Sequence, residues 1–283
     1  MLNLKCDIEE FLAWLANEFY KITPQTSDDF KRSQYLQKAL GQSFYFIYEL
    51  LRHYTLTYIP KFDNYRRLAL HYHDCRYNVI TLNYDTLFEA AIQSVKLNFH
   101  YFQGPHHPKS IPIAKLHGSI NWVNPCRGGI AYEGVMEDAF SVITSSIFSN
   151  KFWVMPLKIL PPAAIRDICY KDFVRSGIDY DEPALIPPFA DYKDYEKVER
   201  YKEVWAFAES MLREASELIV IGCSVRPQDR KFNELLRKSL KDGIAVTVVS
   251  RHPDVVLDRL KIILTNPQFE SPFESFEDYA KTL

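Results

Sequence analysis

Glycine is the residue this chain has least to spare. It carries only nine among 283 positions, about half the usual share. No G-x-G-x-x-G occurs. Gly129-Ile130-Ala131-Tyr132-Glu133-Gly134 has the first half of a P-loop spacing but no Lys-Ser/Thr end, so a Walker-type phosphate loop is excluded. The cysteines Cys6, Cys75, Cys126, Cys169 and Cys223 are widely spaced and form no C-x-x-C. That argues against a zinc ribbon and against a secreted disulfide framework. Apolar runs such as Leu218-Ile219-Val220-Ile221 are far too short to span a bilayer. Met1–Asp7 turns acidic too early for a signal peptide, so a reducing cytoplasm is the expected location. A net charge of −2 supplies no global field toward nucleic acid or membrane.

What is present is an ordinary globular balance, with 47% hydrophobic and 25% charged residues. A chain of this length buries a substantial core without staples. Residues 7–75 read as mostly helical: Ile8, Phe11, Leu12, Leu15 and Phe19 keep helical spacing behind an Asp7/Glu10 cap, Thr23–Ser27 breaks the pattern, and helices follow at about 28–53 and 64–73. The period then changes. Val79–Leu82 reads as a buried strand, 86–95 as a helix and Ile111–Leu116 as the next strand. Residues 124–180 read as an irregular insertion with a weak strand signal at Phe152–Met155, and Ala184–Ile186 as a short strand. The last third alternates helix 193–215, strand 217–221, helix 229–241, strand 244–250 and helix 253–261. That alternation implies parallel crossovers. The expectation is an α/β fold in which a helical N-terminal layer, 1–77, precedes a Rossmann-like, mostly parallel sheet in 78–283.

Polar residues stand where buried strands end. Thr81-Leu82-Asn83-Tyr84-Asp85 follows one strand and Leu116-His117-Gly118-Ser119 closes another. Ile221-Gly222-Cys223-Ser224 follows a third, and a fourth ends at Ser250. Singly these are weak: Asn83 or Asp85 caps a helix, and a strand-end histidine bonds a turn. Together and in this order they favour a nucleotide crevice, because ligands of open α/β sheets bind beyond the carboxyl ends of the strands. His71-Tyr72-His73-Asp74-Cys75 lies just before a strand and reads as solvated loop side chains rather than as metal ligands. His106-His107 reads the same way.

Residues from about Asn78 to Lys261 resemble the sirtuin-like NAD-consuming domains, most closely the prokaryotic branch found in antiphage defence. The carriers are Thr81–Asp85, Leu116–Ser119, Leu185-Ile186-Pro187-Pro188 and Ile221–Ser224. The resemblance implies that His117 is the general base, that Asn83 holds the nicotinamide ribose or the attacking water, and that Asp85 orients the loop and ribose. It places Thr81 and Gly118 in the NAD site, Gly222 and Ser224 at the phosphate and adenosine-ribose end, and Ser250 near the adenosine ribose. A neutral imidazole, with an ordinary pKa of about 6.5, suits proton acceptance near neutral pH.

The chain departs from that family in two ways. The two C-x-x-C pairs of zinc-bearing protein deacylases are missing, so no zinc is expected and NAD hydrolysis is favoured over deacetylation. No Gly-Ala-Gly-x-Ser turn precedes Asn78, which removes backbone donors to the pyrophosphate. The first strand is lacking, replaced by another segment, or encoded upstream of Met1. The expected function is a sirtuin-like NAD+ glycohydrolase that releases nicotinamide. The alternatives are a catalytically degenerate binding or regulatory subunit and an NAD-derived nucleotide sensor. NAD is the expected partner. A homo-oligomer or a partner subunit completing the site stays open, and neither membrane nor nucleic acid is indicated.

Overall fold

The computed structural model describes residues 14, 18, 26–58, 63–102, 109–127, 158–166, 179–185, 199–227 and 229–283. The helix expected over 7–19, the Phe152–Met155 strand signal, His106-His107, Gly129–Gly134 and Ile186–Pro188 lie outside these residues, Trp14 and Glu18 excepted. The fold is α/β, with parallel strands flanked by helices in a Rossmann-like arrangement. The chain forms two compact units interleaved in sequence: 1–57, 84–86 and 117–198 make the first, and 58–83, 87–116 and 199–283 the second.

In the first unit, helix α1 (Ser27–Tyr58) gives nearly all its length to the unit. Its start is set by a reciprocal cap. Asp29 N–H donates to Thr26 Oγ1 at 3.1 Å, and Thr26 N–H donates to Asp29 Oδ2 at 3.1 Å, which satisfies two otherwise orphaned donors. An antiparallel sheet accompanies it, with β4 (Gly118–Arg127) between β5 (Lys158–Ile159) and β6 (Asp179–Leu185). The β4–β6 register shifts between Gly118 and Val123. A 3-10 turn at Pro162–Arg166 is tied to α1 by Arg52, whose guanidinium donates to the carbonyls of Ile165 and Arg166, each at 2.7 Å.

The second unit holds two parallel sheets of three strands. In one, β3 (Ser110–Lys115) lies between β1 (Val79–Thr81) and β2 (Asn98–His100). In the other, β8 (Ala245–Val249) lies between β7 (Glu217–Ile221) and β9 (Gln268–Phe269). The strands at 79, 111, 217 and 244, expected in one sheet, thus belong to two hydrogen-bonded ladders. Thr81 pairs with Lys115 and Ile221 with Val249, so each ladder runs in register to its carboxyl end.

Six helices of this unit are described: α2 (Asp63–Cys75), α3 (Leu87–Ser94), α4 (Glu199–Glu214), α5 (Arg230–Ser239), α6 (Pro253–Ile263) and α7 (Phe276–Thr282). Each buries one stripe at helical spacing. On α4 the stripe is Tyr201, Val204, Trp205, Ala208, Met211 and Leu212. Proline at N1 starts α6, and Ser275 caps α7 by accepting from Asp278 N–H at 3.1 Å. His71–Cys75 is the last turn of α2, with Tyr72 buried, and not the solvated loop that its position before a strand implied.

Aromatic packing holds α2 and α7. Tyr72 meets Tyr77 edge-on at 5.1 Å and Phe88 at 5.9 Å, while Tyr65 meets Phe276 at 5.2 Å. Tyr77 OH donates to Glu217 Oε1 at 2.5 Å. Burial pushes the phenols of Tyr72, Tyr77 and Tyr279 above their ordinary range. The neighbouring tyrosines add to this for Tyr72, and the Glu217 carboxylate for Tyr77 and Tyr279. A raised native pKa contributes stability that is complete below the unfolded value and is lost above it. Urea midpoints should therefore hold steady up to about pH 10, the unfolded tyrosine pKa, and fall beyond it. Tyr77→Phe should make that fall shallower, and an unchanged slope would exclude Tyr77 as a contributor.

Candidate functional site

The sequence-predicted residues divide between the units. Asp85, His117 and Gly118 lie in the first, and Thr81, Asn83, Gly222, Ser224 and Ser250 in the second.

In the first unit the two leading motifs meet. β3 ends at Lys115, Leu116 and His117 form a turn, and Gly118 opens β4 at φ +82°. A side chain is strained at that φ, so glycine is the residue that lets the chain turn there. Ile120 N–H donates to the Tyr84 carbonyl at 2.9 Å, with Ser119 Oγ 3.2 Å from the same oxygen. The Tyr84 and His117 rings lie 6.2 Å apart, tilted by 35°. Asp85, the next residue, is half-buried, while His117 is only 4% exposed. Beyond the turn runs a buried polar relay. Ser119 Oγ donates to Asn121 Oδ1 at 2.6 Å, and Asn121 Nδ2 donates to the Leu160 carbonyl at 2.7 Å. Leu160 N–H returns a bond to the Asn121 carbonyl at 2.9 Å.

In the second unit, Thr81 Oγ1 accepts the Asn83 N–H at 3.0 Å, and Leu116 N–H donates to the Thr81 carbonyl at 3.1 Å. Thr81 thus shapes the loop, and the Asn83 side chain stays exposed. After β7, Gly222 takes φ +63° and has open space where a Cβ would stand. Its N–H donates to the Val249 carbonyl at 2.9 Å, which brings Gly222 beside the β8 exit that carries Ser250. Val225, a β-branched residue at φ +46°, closes the turn in a strained conformation. Arg259 Nη1 holds the Ser224 carbonyl at 2.6 Å. Ser250 Oγ accepts from His252 N–H at 3.2 Å, a contact that shapes the entry to α6. Burial, with the Asp229 charge adding to it, pushes the Cys223 thiol up, so this cysteine is not an activated nucleophile.

Among the described residues no three His, Cys, Asp or Glu side chains converge as a metal site. At the end of α2, Cys75 Sγ lies 3.8 Å from the His71 ring nitrogens and His73 Nδ1 lies 3.1 Å from Asp74 Oδ1. No described helix is long and apolar enough to cross a membrane.

Sequence reasoning missed three residues that shape these segments: Tyr84, Asn121 and Arg259. One of them had a signal, since Asn121 interrupts the apolar pair Ile120 and Trp122. No family model matches the chain, and no curated protein matches it in sequence. The likeness to sirtuin-like domains therefore rests on the motifs.

Asn121→Ala should leave the Leu160 carbonyl without its amide donor and the Ser119 hydroxyl with only the longer contact to the Tyr84 carbonyl. Unsatisfied buried polar groups cost about 1–3 kcal/mol each. Urea unfolding should show a loss of that order, and a loss well under 1 kcal/mol would mean that water replaces the relay.

Proposed function

We propose that the chain is a sirtuin-like NAD+ glycohydrolase, and that it acts as an effector of antiphage defence. The observation that carries the reading is the meeting of the two motifs. The Tyr84 carbonyl is engaged by Ser119 and Ile120, and the Tyr84 ring lies beside the His117 ring, which supports a reading in which the neighbouring Asp85 acts with His117. The defence role draws on the family resemblance alone.

In this reading a water oxygen forms a bond to the anomeric carbon of the nicotinamide ribose as the C–N glycosidic bond breaks. The bonding pair leaves with nicotinamide, which departs neutral, and the water proton passes to His117. The family resemblance assigns Asn83 to the water or the ribose, Asp85 to the loop, Thr81 and Gly118 to the nicotinamide end, Gly222 to the diphosphate, and Ser224 and Ser250 to the adenosine end. The products are nicotinamide, ADP-ribose and a proton, and no metal is required.

One observation favours a second reading. His117 is only 4% exposed. That burial suits a binding or regulatory subunit, or an NAD-derived nucleotide sensor, that keeps the fold without turnover.

Nicotinamide release at high NAD concentration separates the two. General-base assistance is worth about 10²–10⁴-fold, so His117→Ala should slow release by that range, with Asn83→Ala also impaired and circular dichroism retained. Turnover unaffected by both substitutions would reject the mechanism. NAD binding without turnover in the wild-type chain would establish the second reading.

A further inference from the structure

A lysine in a buried strand and a glutamate on a buried helix face stand out in the second unit. Lys115 Nζ donates to Glu89 Oε1 at 3.0 Å, with the two side chains 1% and 3% exposed. Tyr101 OH donates to the same oxygen at 2.8 Å. The three groups come from the end of β3, from the first turn of α3 and from the residue after β2. Their places in the chain are pointed. Glu89 follows Asp85 by four residues, Lys115 precedes His117 by two, and Lys115 is the register partner of Thr81.

Taking two charges out of water is costly, and an apolar pair of similar volume often holds a fold as well or better. What apolar contact lacks is direction. A methyl surface lets a helix slide along a strand by a fraction of an ångström, whereas two hydrogen bonds converging on one carboxylate oxygen do not. We infer that Glu89, Lys115 and Tyr101 form a positioning clamp that fixes α3 against the end of β3, and that NAD turnover depends on the charged pair rather than on the packing it occupies. The inference rests on the glycohydrolase reading for its link to turnover, and on the geometry alone for the clamp.

Removing one partner would leave a buried charge unpaired and endanger folding, so the test replaces both. Glu89→Leu with Lys115→Met keeps the volume and removes the directional bonds. The double variant should fold, because the apolar pair relieves the buried charges while the Tyr101 hydroxyl, left without its acceptor, offsets part of that gain. Its kcat should drop about tenfold to a hundredfold, the scale of sub-ångström misplacement of reacting groups, with KM nearly unchanged. Hydrogen exchange should quicken at amides 81–85 and 116–120 and stay unchanged in 217–221 and 245–249. Wild-type kcat in the folded double variant would overturn the dependence of turnover on the pair, and unchanged exchange at 81–85 and 116–120 would overturn the clamp. If the wild-type chain releases no nicotinamide, the glycohydrolase reading fails, and the exchange measurement alone decides whether the clamp exists.

Discussion

One hydrogen bond, from the Tyr77 hydroxyl to the Glu217 carboxylate, ties together the two parallel sheets of the second unit. Tyr77 stands two residues before β1 and Glu217 is the first residue of β7, so the entering ends of the two ladders are joined there. Tyr72 packs on the ring of Tyr77, and Phe273 meets Tyr279 edge-on at 5.3 Å. α2 and α7 both contribute to this aromatic cluster. Glu217 is exposed and Tyr77 half-buried, so the bond directs how the two entering ends meet while the rings packed beside it supply the apolar burial. The exits of β1 and β7, by contrast, lead into an exposed residue, Asn83, and a strained one, Val225.

The ease with which the sequence could be read varied with burial geometry. β7 was legible at its limits, Glu217–Ile221, because a β-branched run there is bounded by a charge and a glycine. The helices at 199–214 and 253–263 were legible from their apolar spacing. β4 was not. From His117 to Val123 every residue is buried, so the period-two alternation that marks a half-exposed strand is absent. β9 has two residues and leaves no periodic trace. At 71–75, alternating polar and apolar residues suggested a loop, whereas the segment completes α2.

The candidate site was legible as pairs of motifs but not as a disposition. That Asn83–Asp85 and His117–Ser119 belong together is an expectation drawn from both standing at strand ends; in the structure Tyr84 contacts His117, Ser119 and Ile120. Nothing in the residue types announced that His117 would be buried, or that Ser119 and Asn121 would form an internal relay to Leu160. Those outcomes depend on β4 leaving the parallel ladder at Gly118 for an antiparallel sheet, a non-local pairing that no short window records. Glu89 and Lys115 were visible as charges inside apolar patterns, and each explains the other only once both are placed.

The interleaving of the two units bears on how the chain is made. Synthesis delivers residues 58–83 and 87–116 early, yet the unit they belong to lacks α4, β7, β8 and β9 until the final stretch, 199–283, emerges. Until then the ladder of β1, β3 and β2 stands without α4, which packs on β3 in the finished unit, and the intervening first-unit residues must be looped out before that contact forms. Until α4 arrives, the face of β3 that it covers is open, and that exposure follows from the order of the segments rather than from the composition of any one of them.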